Sequence, residues 1–114
     1  MLQRFDVGAR MSEMAVHNGV CYLAGQVAVG AAPNIEAQTR EVLGAIDALL
    51  AKAGTDKTKI LRAQIFLADI ADFPGMNAVW DTWVVPGQAP ARATVQARLN
   101  DSNMKIEIMV VAAI

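Results

Sequence analysis

Glu13-Met14-Ala15-Val16-His17-Asn18-Gly19-Val20-Cys21-Tyr22-Leu23-Ala24 holds two β-like runs, residues 13–17 and 20–24, joined by Asn-Gly. Asn-Gly between two such runs is a strong local hairpin signal, because both turn residues must accept positive φ. The stretch predicts two antiparallel strands, and the segments outward from it extend or cover the same sheet. Upstream, Asp6 to Arg10 is a lead-in that reads as a short strand. Downstream, Gly25-Gln26 ends the second strand and Gly30-Ala31-Ala32-Pro33 is a loop.

Beyond the loop the period changes. Ile35, Val42, Leu43, Ile46, Leu49, Leu50 and Ala53 recur at steps of three and four, on one face, while Glu36, Gln38, Arg40, Glu41, Asp47 and Lys52 occupy much of the remainder. This is the pattern of an amphipathic helix of about five turns. Asn34 suits its N-cap and Gly54 its C′ position. Gly44 inside it costs about 1 kcal/mol relative to Ala, for which close packing on a sheet is the simple reason. Ile60 to Leu67 reads as a buried strand. A second helix is expected from Phe73 to Val84, capped by Asp72, with Pro74 in its first turn, where the missing N–H does no harm.

Pro86-Gly87-Gln88-Ala89-Pro90 breaks that helix. Ala91, Ala93, Val95, Ala97 and Leu99 then alternate with Arg92, Thr94, Gln96 and Arg98, the period of a half-buried strand. A loop over Asn100 to Asn103 leads to a last strand, Lys105 to Ala113. The order β-β-α-β-α-β-β, with a short extra strand at the start, predicts an α+β fold in one domain, residues 1–114, with two helices packed on one face of the sheet.

Composition bounds the function. The 114 residues are 54% hydrophobic and 18% charged, with a mean hydropathy of +0.32 and a mass of 12.2 kDa. A disordered chain is excluded. A monomer of this size exposes roughly 6,000 Å² and has few interior positions, so part of the apolar surplus is expected to face another subunit. The net charge of −1, without any block of like charge, lacks the basic face that nucleic acid requires. One Cys and one His, Cys21 and His17, argue against a disulfide and against a zinc site. No run has the length of a signal peptide or a membrane span, the longest apolar run being Ile108 to Ile114. No membrane partner and a cytoplasmic location are the expectations.

Most chemically capable side chains have a structural reading that leads. His17 sits beside a turn, Cys21 lies mid-strand as a buried inert thiol, and Trp80 and Trp83 share a helix face as core or interface anchors. The glycines do not fall at a phosphate-loop spacing, and no triad is visible. Arg92 and Glu107 are the candidates for chemistry, although each also fits a solvated strand position. A guanidinium presents a planar fork to two carboxylate oxygens at once, and a carboxylate can take a proton from water. Pairing strand 91–99 with strand 105–113 as a hairpin, Leu99 opposite Lys105, sets Arg92 opposite Ala112. Glu107 is then five residues away, or about 17 Å. The two side chains would meet on one small substrate only if a neighbouring subunit supplied one of them.

These residues resemble a known family. Gly19-Val20-Cys21-Tyr22-Leu23-Ala24-Gly25-Gln26, Ile65-Phe66-Leu67-Ala68-Asp69, Phe73 through Asn77, Pro90-Ala91-Arg92-Ala93-Thr94-Val95-Gln96-Ala97 and Lys105-Ile106-Glu107-Ile108 occur in the order and spacing of the Rid family. These are the reactive intermediate deaminases, or YjgF-type proteins, and residues 76–85 are similar to the YoaB-like branch. The resemblance implies a chorismate-mutase-like α+β fold and a homotrimer with its sites between subunits. It also implies hydrolysis of enamines and imines such as 2-aminoacrylate to 2-oxo acids and ammonia. By residue, it implies that Arg92 binds the substrate carboxylate and Glu107 orients the attacking water, with Gly25, Thr94 and Asn77 in the pocket. No metal or organic cofactor is implied. In the best-studied branch a Tyr matches Met11, a Ser matches Ala24 and a Cys matches Thr94, so the hydroxyls around the substrate differ here. The alternative is a non-enzymatic trimeric module that binds small carboxylates, 2-oxo acids or a partner protein.

Overall fold

Residues 1–30 and 32–114 are described by a computed structural model; Ala31, in the expected 30–33 loop, lies outside the described residues. The hairpin forms as read. Strand β2 (Ser12–His17) pairs antiparallel with β3 (Val20–Leu23), and Asn18 and Gly19 take φ of 52° and 75°. The lead-in strand starts earlier than expected: β1 is Gln3–Val7 and pairs with β2. After the hairpin the chain adds a two-residue strand that the sequence reading lacked, β4 (Gln26–Val27). Helix α1 (Ile35–Lys52) begins with Asn34 Oδ1 accepting from the Ala37 N–H and is followed by Gly54 at φ 79°. Strand β5 (Ile60–Leu67), helix α2 (Phe73–Trp83), strand β6 (Ala91–Gln96) and strand β7 (Ile106–Ala113) complete the chain.

The sheet order is β1-β2-β3-β7-β5-β6, with β4 also on β7. One of its faces is the core. Ala63, Ile65 and Leu67 of β5 stand opposite Val110, Ile108 and Ile106 of β7, and Cys21 stands opposite Ala112. All of these are buried beneath Val42, Leu43, Ile46 and Leu50 of α1 and Met76, Val79 and Trp80 of α2. The alternation sends the remaining side chains to the opposite face, which no element among the described residues covers. There Val95, Phe66 and Glu107 stand in one row, and Ala91, Arg62, Val111 and Tyr22 in another. Tyr22, Val95 and Met109 are among the exposed large apolar side chains of the chain.

Several expectations are corrected. Strands 91–99 and 105–113 do not form a hairpin. The α2 crossover makes β6 a parallel neighbour of β5, and residues 97–105 pass to the other side of β5 before β7 begins. Ala97 N–H donating to Leu67 O and Ala68 N–H donating to Lys105 O hold that passage. Strand β6 is also shorter than residues 91–99, and its faces differ from a simple half-buried strand: Ala91, Ala93 and Val95 are exposed, while Arg92 and Thr94 lie half-buried on the helix side. The residues 60–67 strand is not buried throughout, since Leu61 and Arg62 are exposed. Asp72 makes no side-chain cap; Asp69 instead accepts from the Ala71 N–H and caps the 3-10 turn Ile70–Asp72. Gly44 is exposed, with nothing within 4 Å of where a Cβ would stand, so sheet packing does not explain it. Gln38 is not on the solvent side of α1. It is buried, donates to Ala32 O and Asn103 O, and accepts from the Lys105 N–H, tying the 100–105 loop to the helix.

Cys21 is fully buried, and burial pushes its thiol above the usual range. A thiolate is the reactive form. A disulfide-exchange dye at pH 8 is therefore expected to leave the folded protein unlabelled and to label one thiol per chain in denaturant. Rapid labelling of the folded protein would contradict the packing.

Candidate functional site

The expected site residues fall into two groups on opposite faces of the sheet. The first group is Arg92, Thr94 and Asn77. Arg92 and Thr94 are alternate residues of β6 and share the face that α2 covers, opposite Ala63 and Ile65 of β5. The helix brings Phe73, Met76, Asn77 and Trp80 over the strand, at the three-residue and four-residue steps that share one helix face. Arg92 Nη1 donates to Asn77 Oδ1 at 2.8 Å and lies 3.9 Å from the Met76 sulfur. The guanidinium carbon is 5.1 Å from the Trp80 ring centre and 5.6 Å from that of Phe73.

Arg92 has no carboxylate within 4 Å; the ion pair found among the described residues is Lys52 with Asp6, at 2.8 Å. Burial against the aromatic helix lowers the pKa of Arg92, and the charge of Asp81 opposes that shift. A guanidinium keeps its proton regardless. Of its N–H groups, those on Nη1 have protein partners among the described residues. The Nε and Nη2 donors, spaced like the two oxygens of a carboxylate, have none among the described residues. Thr94 Oγ1 is also buried without a hydrogen-bond partner. A buried hydroxyl without a partner costs free energy until something satisfies it, and this one shares a strand face with a half-buried guanidinium that has no carboxylate partner among the described residues.

The second group is Gly25 and Glu107, on the uncovered face. Gly25 lies between β3 and β4, both of which pair with β7. A Cβ at Gly25 would collide with Glu107 Oε2 and lie 2.8 Å from Cδ. The glycine is therefore what lets the Glu107 side chain lie flat against the backbone. Gln26 Nε2 donates to Glu13 Oε1 and to Ala24 O, which fixes the strand break on the other side of the glycine. Phe66 and Val95 stand beside Glu107 in its row. Among the described residues Glu107 has no basic partner within 4 Å.

Within one chain the two groups do not meet. Arg92 stands level with Ala63 and Val110, whereas Glu107 stands level with Phe66. The offset is three residues along the sheet and two strand spacings across it, about 10 Å in each direction, and the side chains point to opposite faces. The hairpin geometry expected from the sequence was wrong, yet the separation it implied is present for a different reason. The sequence reading missed Phe73, Met76 and Trp80 as the surroundings of Arg92; their spacing with Asn77 was the available signal, since residues 73, 76, 77 and 80 share a helix face. His17 is exposed at the hairpin tip, far along the sheet from either group. Among the described residues no group of three or more potential metal ligands occurs, and no helix is long and apolar enough to cross a membrane.

The endoribonuclease L-PSP family profile matches residues 1–114. The chain is 46% identical over 115 residues to the RutC family protein YoaB of Escherichia coli, a match spanning 97% of this chain and 96% of that protein. It is 32% identical over 110 residues to the chloroplastic Reactive Intermediate Deaminase A of Arabidopsis thaliana, spanning 96% of this chain and 58% of the relative. Among solved structures it superposes on NMB1025 of Neisseria meningitidis, described as a member of the YjgF protein family. The TM-score is 0.97 at 40% identity, over 99% of this chain and 94% of that one.

Proposed function

The chain belongs to the endoribonuclease L-PSP family, the RutC and YjgF group, and from that premise we propose that it hydrolyses small enamines and imines bearing one carboxylate, of the 2-aminoacrylate type, to 2-oxo acids and ammonia. The observation that carries the reading is the Arg92 guanidinium, half-buried without a carboxylate partner, beside the orphaned Thr94 hydroxyl. The name of the Arabidopsis relative, a reactive intermediate deaminase, supports the same chemistry.

In this reading the site forms between subunits of a homotrimer. The uncovered apolar face of one protomer, carrying Tyr22, Met109 and Glu107, packs against the β6 edge of its neighbour, which brings that neighbour's Arg92 group to Glu107. The enamine first tautomerises to the imine, and a proton taken up from solvent at its nitrogen gives the iminium, whose carbon is electrophilic without further activation. Arg92 holds the carboxylate through Nε and Nη2. Glu107 accepts a proton from water as the water oxygen bonds to the iminium carbon, giving a carbinolamine. Glu107 passes that proton to the nitrogen and takes back the hydroxyl proton as the C=O bond forms and the C–N bond breaks, releasing ammonia and leaving the 2-oxo acid. Aiming the water supplies much of the rate, since the reacting carbon needs no covalent assistance.

The experiment feeds an amino acid through a purified oxidase or dehydratase and follows 2-oxo acid. Added protein is expected to raise its appearance above the spontaneous rate of imine hydrolysis. A rate equal to the spontaneous one, with 2-oxo acid binding retained in calorimetry, would overturn catalysis in favour of a binding module.

A further inference from the structure

Arginine on an open strand samples many rotamers, and each costs something to freeze on binding; roughly 2 kcal/mol of side-chain entropy is at stake. Arg92 is not free in that sense. Its guanidinium lies near the rings of Trp80 and Phe73, 5.1 and 5.6 Å from their centres, and gives one Nη1 hydrogen to Asn77. Trp80 is itself fixed: it is 5% exposed and packs against Trp83 with ring centres 5.4 Å apart at 49°. Trp83 in turn donates from Nε1 to Asp47 Oδ2 of α1 and carries Lys57 Nζ 5.2 Å from its ring centre. The orientation of the guanidinium is thereby tied to the α1–α2 contact.

We propose that Trp80, with Phe73 and Asn77, forms a collar that pre-orients Arg92 so that its Nε and Nη2 donors meet a ligand carboxylate without further ordering, making Trp80 a positioning residue. The inference rests on the reading of Arg92 as the carboxylate anchor. Two of its consequences follow from chemistry alone. The ring faces attract the cation and take up its apolar surfaces, so ligand atoms are confined to its edge. A lysine ammonium cannot be held in this way, having neither a plane to lie along the rings nor a fork to present. Asn77 then acts on the ligand through Arg92, with its Oδ1 already engaged.

The test measures binding of 2-oxobutanoate by calorimetry and by tryptophan fluorescence, together with steady-state imine hydrolysis. Wild type, Trp80→Phe, Trp80→Leu, Phe73→Leu and Asn77→Ala are compared. Trp80→Leu and Asn77→Ala are each expected to weaken binding about tenfold, and Phe73→Leu about threefold, while Trp80→Phe stays within about threefold of wild type. KM should rise with these losses while kcat stays within about twofold, because anchoring serves ground and transition states alike. Carboxylate binding should alter wild-type fluorescence through Trp80. If Trp80→Leu fails to fold, Phe73→Leu, which alters a partly exposed ring, and Asn77→Ala decide the matter. Wild type binding the ligand while the folded collar variants all bind within twofold of it would overturn the collar and leave the anchor intact. Failure of wild type to bind any small 2-oxo acid would overturn the anchor, and the collar with it.

Discussion

Arg92→Ala is expected to lower kcat/KM for imine hydrolysis by about 10²- to 10³-fold with the fold intact. The size follows from removing one partner of a desolvated, charge-assisted pair, which costs about 3–4 kcal/mol, at about 1.4 kcal/mol per decade. The protein should tolerate the change because Arg92 has no ion-pair partner among the described residues and its main internal bond is to Asn77 Oδ1. Leaving that oxygen unpaired costs about 1 kcal/mol, and water can reach the half-exposed site. Arg92→Lys is expected to recover little, since the ammonium keeps the charge but loses the fork. The measurements are steady-state kinetics beside a thermal melt of each variant. Arg92→Ala with wild-type kcat/KM and an unchanged melting temperature would remove the anchor from the mechanism.

The second large effect tests how the site is shared. Glu107→Gln is expected to lower kcat by about 10² to 10⁴, the usual worth of a positioned acid or base. Neither this variant nor Arg92→Ala should be active alone. Mixed one to one, unfolded together and refolded, they should regain about a quarter of wild-type activity, because in a closed ring one site in four receives an intact Arg92 from one protomer and an intact Glu107 from the next. The sheet geometry gives the reason: Arg92 and Glu107 lie on opposite faces and three residues apart in level. A refolded mixture as inactive as its parts would overturn the site shared between protomers.

Much of the fold was legible because its signals are local. Asn18-Gly19 demands positive φ at both positions, and the hairpin is there with φ of 52° and 75°. The apolar spacing from Ile35 to Leu50 and the side chain of Asn34 set α1 almost to the residue. Ile60–Leu67 forms the expected strand. The misses also have a physical cause. Gln38 was placed on the solvent side by its polarity, but its spacing from Ile35 and Val42 is that of the buried face. Its amide is compatible with burial because the 100–105 loop supplies both an acceptor and a donor.

The candidate site divides in the same way. The sequence by itself, read through motif resemblance, singled out Arg92, Glu107, Gly25, Thr94 and Asn77 as the residues worth locating, and its local patterns determined the strands and helix that carry them. Strand order was beyond it: alternation tells which residues share a face of one strand and is silent on which strand lies beside it. Only the tertiary structure placed β5 between β6 and β7, turned Arg92 towards the helices and Glu107 away from them, and set Trp80 beside the guanidinium. Those outcomes depend on crossover connections and long-range packing, in which residues distant along the chain select one another by shape and charge, and no short window of sequence contains both partners.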